Sequence, residues 1–67
     1  MKFPQIRQIV RCPADRGDSA YTGRITHVGA DVQTNISGIR FVWVTVRRSD
    51  ADRSAVWPSH RLGFKIN

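Results

Sequence analysis

The chain has 67 residues, a formal charge of +6 and a sequence pI near 11.2, with eleven Lys and Arg against five acidic residues, all of them Asp. That length makes one domain, residues 1–67, whose core is small enough for oligomerisation to be a natural supplement to its stability. A lone cysteine, Cys12, excludes an internal disulfide, and the lack of a long apolar run, with Lys2 and Arg7 near the start, excludes a signal peptide and a membrane span; a cytoplasmic protein with no membrane partner is expected.

Residues 5–12 set Ile6, Gln8 and Val10 against Arg7, Ile9 and Arg11, the period of two of a strand. Residues 13–19, Pro-Ala-Asp-Arg-Gly-Asp-Ser, supply turn chemistry. Residues 20–29 predict a second strand, with Tyr21, Gly23, Ile25 and His27 on one face and Thr22, Arg24, Thr26 and Val28 on the other. Gly23 inside it signals a bulge or a close backbone approach. Residues 30–38 are polar and irregular, and end in a Ser37-Gly38 turn.

Residues 39–48 are the strongest strand, and both of its faces are apolar: Phe41 and Trp43 on one, Val42, Val44 and Val46 on the other. A small barrel has one interior, so the second face needs a crossing strand, a second subunit or a ligand to cover it. Residues 49–53 read as a hairpin loop and 54–57 as a fourth strand ended by Pro58. Residues 59–62 predict a single helical or 3-10 turn with Ser59 as N-cap, and residues 64–66 a short last strand.

This order predicts an all-β domain, a five-stranded SH3-like barrel with one short 3-10 turn before the last strand. Ala55-Val56-Trp57-Pro58-Ser59-His60-Arg61-Leu62 resembles the SH3 stretch in which the fourth strand ends in Pro-Ser or Pro-Ala and turns into the fifth. The chain departs from that family in lacking an Ala-Leu-Tyr-Asp-Tyr type motif and in carrying Arg61 where the peptide groove has a tyrosine.

Residues 9–66 also resemble the plasmid- and integron-borne type of dihydrofolate reductase, a tiny SH3-like barrel that works as a tetramer around one pore. The resemblance lies in Ile9-Val10-Arg11, Tyr21-Thr22-Gly23-Arg24-Ile25, and Val56-Trp57-Pro58 with Leu62. Where that family has a pore lysine this chain has Cys12, and where it has Gln-Ile-Tyr this chain has Ala55-Val56-Trp57. The resemblance implies an oligomeric barrel from a mobile genetic element, without the residues that hold folate and nicotinamide.

His27 and His60 are the available acid–base groups near neutrality, and no spacing brings them to a nucleophile or makes a metal site, so no catalytic residue, metal or cofactor is assigned. Nine of the eleven cations are arginine, which forks onto phosphate or carboxylate and stacks on rings. The candidate binding surface is Arg24, Arg40, Trp43, Arg47, Arg48, Trp57 and Arg61, with Phe41 and one tryptophan expected in the core. The leading expectation is a non-enzymatic binding or assembly module that self-associates as a homo-oligomer. The alternatives are a basic small barrel that binds DNA or RNA, and an oligomeric-barrel enzyme of the plasmid reductase kind.

Overall fold

The computed structural model describes residues 3–15 and 17–66; Lys2 and Arg16, both counted in the charge, lie outside them. Among the described residues the strands are β1 (Ile9–Cys12), β2 (Tyr21–Val28), β3 (Gln33–Thr34), β4 (Arg40–Phe41), β5 (Trp43–Arg48) and β6 (Ser54–Pro58), followed by a 3-10 helix, Ser59–Leu62. β1, β2, β5 and β6 form an antiparallel meander in that order, while β3 and β4 pair as a separate short hairpin. The chain is therefore mostly β, as the alternating pattern requires, but six strands in two open sheets replace the expected five.

Three segments account for the difference. Residues 5–8 turn back on themselves, with Gln8 N–H donating to the Gln5 carbonyl at 3.2 Å and Arg7 at φ +77, so the first strand starts only at Ile9 and Ile6 points to solvent. The strand expected over 39–48 breaks at Val42, and its first part turns aside to pair with β3. Residues 64–66 form no strand; Phe64 and Ile66 are buried as single side chains, and the Phe64 N–H reaches only the Ser59 carbonyl at 3.3 Å.

The inner face of the meander carries Val10 and Cys12 from β1, Tyr21 and Ile25 from β2, Val44 and Val46 from β5, and Trp57 from β6. Val42, Phe64 and Ile66 join them, with Val28, Ala55 and Leu62 packed against the margin. Each fully buried valine contributes about 1.5–3 kcal/mol of transfer free energy, and three of them, Val42, Val44 and Val46, come from one five-residue stretch.

Two features of β2 let the sheet wrap this core. At Gly23 an added Cβ would stand 2.5 Å from the Val46 side chain and 2.6 Å from the Arg47 carbonyl, so only glycine permits β5 to lie this close. The bulge lies three residues further on: the β2–β5 register shifts between Ile25 and His27, making Thr26 the extra residue. The shift turns His27 outward, opposite Thr45, and Val28 inward, reversing the faces the plain alternation assigns to them.

Gly23→Ala is expected to destabilise the fold by about 1–3 kcal/mol. A chemical-denaturation midpoint equal to that of the parent chain would contradict the close approach.

Candidate binding surfaces

The strands present their outer residues in a grid fixed by the ladder registers. Ile9 stands opposite Arg24, Arg24 opposite Arg47, and Arg47 opposite Ser54; one step along, Arg11 pairs with Thr22. Toward the other end of the sheet, Thr45 stands opposite Val56 and Trp43 opposite Pro58. The face thus divides into a basic row, Arg24 and Arg47 side by side with Arg11 offset one step along β1, and an apolar strip, Trp43, Val56 and Pro58. Trp43 is 42% exposed and Val56 61%, on adjacent strands, and Phe41 meets the Trp43 ring edge-on at 5.2 Å.

The two tryptophans separate cleanly. Trp57 lies in the core, and its indole N–H donates to the Tyr21 hydroxyl at 2.9 Å; Trp43 is the surface ring. Phe41 is buried as expected, but outside the main core, between Trp43 and the His60 ring, whose centroid is 5.3 Å away. The 3-10 helix therefore covers part of the second apolar face of the 39–48 stretch and leaves Trp43 uncovered.

The seven candidate residues do not form one patch. Trp57 is buried, and three of the arginines are paired with carboxylates within the molecule. Arg48 follows Arg47 and so faces inward: its guanidinium lies 4.1 Å from the centre of the Tyr21 ring and binds both carboxylate oxygens of Asp50, at 2.9 and 3.0 Å. That bond is the first cause holding the Asp50 carboxyl below its usual value. Arg61 lies over Trp57, 5.1 Å from the ring centre, with Asp15 at 3.7 Å. Arg47 pairs with Asp52 at the hairpin loop while keeping its place in the outer row. Among the described residues Arg11, Arg24 and Arg40 have no carboxylate partner. Arg40 stands apart on β4, in the wall of a different cleft.

A groove of about 370 Å³ runs beside β6, between Asp15 and Asp18 of the first loop and Trp43, Val56, Pro58 and Arg61. The first loop holds its shape through a mutual pair of backbone bonds, Asp15 N–H to the Asp18 carbonyl and Asp18 N–H to the Asp15 carbonyl, with Gly17 at φ +86. Loop and strand reach the same groove because the sheet curls, as the Tyr21–Trp57 bond across its inner face requires. Sequence reading passed over Arg11, Val56 and Pro58 as surface residues; their common signal was parity with Arg47 and Trp43 along paired strands.

Cys12 and Trp57, two of the positions that correspond to reductase pore residues, belong to the core, whereas Val56 between Ala55 and Trp57 points outward. Burial raises the Cys12 thiol above its ordinary value, against the opposing influence of the Tyr21 hydrogen bond and the Arg48 charge. Burial likewise raises the Tyr21 hydroxyl, against the bond from Trp57. Among the described residues no group of three His, Cys, Asp or Glu is placed to hold a metal ion, and no helix is long and apolar enough to cross a membrane. Comparison with protein families, curated proteins and solved structures finds no match to this chain.

Both raised groups favour the protonated form in the fold, so their contribution is complete below the unfolded values and is lost as pH rises through the folded ones. Thermal melts are expected to show this loss only above about pH 9, past the ordinary thiol range. Cys12 is expected to resist a thiol reagent such as DTNB in the native protein and to react on unfolding; rapid native labelling would contradict its burial.

Proposed function

We propose that this chain is a non-enzymatic binding and assembly module, an SH3-like barrel left open beside β6, which associates with a second copy of itself through the Trp43–Val56–Pro58 strip. The barrel reading is supported by the meander order, the curl across the Tyr21–Trp57 bond and the 3-10 turn that follows β6. The observation that carries the assembly reading is the exposure of Trp43 and Val56 side by side at the edge of the sheet. A large ring and a branched aliphatic side chain together on a domain this small are the composition of an interface centre. β6 ends the four-stranded sheet, and an antiparallel strand beside it meets a self-complementary edge, so a two-fold axis joins β6 to its copy. The non-enzymatic part rests on Cys12 and Trp57 being committed to packing.

Sedimentation equilibrium is expected to find a dimer at tens of micromolar, on the order of the affinity an interface of modest size supports. Trp43→Ala and Val56→Asp are each expected to yield monomers with little loss of thermal stability. A parent chain that stays monomeric at millimolar concentration would refute the assembly reading.

A second reading rests on a separate observation, the basic row. Arg11, Arg24 and Arg47 lie on neighbouring strands, with Thr22 and Thr26 flanking Arg24 along β2 and Asp52 as the acid beside Arg47. Such a row suits the phosphates of single-stranded DNA or RNA, with Trp43 in reach of an unpaired base. Fluorescence anisotropy with a labelled oligonucleotide at low salt is expected to show binding that weakens steeply with added salt and falls several-fold in Arg24→Ala. Affinity that is flat with salt would rule this reading out.

A further inference from the structure

We infer that the cleft between β4, the 3-10 helix and residues 63–66 binds an organic phosphate monoester. The cleft, about 560 Å³, is lined by Arg40, His60 and Lys65 together with Ile39, Phe64 and Ile66. Its basic groups come from three separate segments: Arg40 from β4, His60 from the 3-10 helix and Lys65 from the segment that follows it. Among the described residues no carboxylate lines it and none pairs with Arg40 or Lys65. This concentration of unpaired cations contrasts with the far end of the sheet, where Arg47 and Arg48 are matched by Asp52 and Asp50.

His60 supplies an independent indication. Its Nδ1 is shut off from solvent and has no hydrogen-bond partner among the described residues. A buried ring nitrogen without a partner costs free energy, which a small movement of the ring toward a ligand oxygen in the cleft would recover. The ring is packed against Phe41, its centroid 5.3 Å away. A guanidinium fork, an ammonium and an imidazole together present donors to the three terminal oxygens of a phosphate monoester, more than a two-oxygen carboxylate can engage. Much of the remaining wall is apolar, so the body attached to the phosphate is apolar or aromatic, resting against Ile39, which is itself exposed. None of these residues belongs to the outer face of the meander, so this site and the two readings of that face stand or fall separately.

The test is a titration of ¹⁵N-labelled protein with phenyl phosphate, followed by NMR, with benzoate and benzyl alcohol as parallel arms. Saturable shifts centred on residues 38–40 and 60–66 are expected with phenyl phosphate, much weaker binding with benzoate and none with benzyl alcohol. Arg40→Ala and Lys65→Met are each expected to weaken phenyl phosphate about tenfold, the effect of losing one charge-assisted contact, whereas Arg24→Ala leaves it unchanged. Failure to saturate, benzoate binding as tightly as phenyl phosphate, shifts centred on Arg24 and Arg47, or full affinity in both Arg40→Ala and Lys65→Met would each overturn the assignment.

Discussion

Two hydrogen bonds between Val42 and Ser59 hold the two ends of this fold together. The Val42 N–H donates to the Ser59 hydroxyl at 3.1 Å, and the Ser59 N–H donates to the Val42 carbonyl at 2.9 Å. Val42 is the residue at which the long apolar stretch leaves one sheet and enters the other, so it has no strand partner for either backbone group. Buried groups left in that state cost about 1–3 kcal/mol each, and the fully buried serine removes the cost. Ser59 thus serves not as the N-cap its sequence position suggests but as a clasp; Pro58 occupies the cap position and no side chain bonds there.

From that clasp the rest of the C-terminal half takes its place. With Ser59 pinned, the next turn sets His60 against Phe41 and Arg61 over Trp57, and Gly63 at φ +91 redirects the chain so that Phe64 and Ile66 reach the core. The core needs those two side chains, because the meander has one inner face and no second sheet lies across from it. The clasp also frees Ile39 and Arg40 to form the short hairpin with β3, where the Asn35 side chain accepts from Ser37 and Ile39 N–H groups at 2.9 Å each. Both clefts beside the 3-10 helix, one with Arg61 and one with Arg40 and His60, are consequences of where this single serine is bonded.

The parts legible in the sequence were those governed by local period and turn chemistry: the second strand, the 49–53 hairpin loop, the 3-10 turn and the Val42–Val44–Val46 face. Features set by contacts distant in sequence were not. The Thr26 bulge follows from how β2 meets β5, and it exchanges His27 for Val28 in a segment whose residues alternate without interruption. Arg7 adopts a left-handed backbone that no arginine signals, held by its N–H to the Ile25 carbonyl at 2.7 Å. The candidate surface suffered for the same reason. Nine arginines read as one excess of charge, yet Arg48 and Arg61 are drawn onto the faces of Tyr21 and Trp57 by aspartates in loops, whose reach no spacing reveals.

Pairing within the chain decides where the remaining charge acts. Asp15, Asp50 and Asp52 neutralise arginines around the loops that follow β1 and β5, which lie at the same end of the sheet, as the Ser49 N–H bonded to the Thr22 carbonyl requires. Among the described residues the cations without carboxylate partners include Arg24 and Arg11 on the outer face and Arg40 and Lys65 at the cleft, with Arg7 and Arg53 lying outside both. In the proposed dimer, a two-fold axis through β6 sets Trp43 and Val56 near the centre and sends Arg24 and Arg11 outward, because β2 and β1 lie progressively farther from that edge, while Arg47 on β5 is paired with Asp52. Like charges are separated as the apolar strips meet, so the net charge of +6 opposes association less than its size suggests. The strand order that leaves β6 at the edge is therefore also what makes a strongly basic chain compatible with self-association.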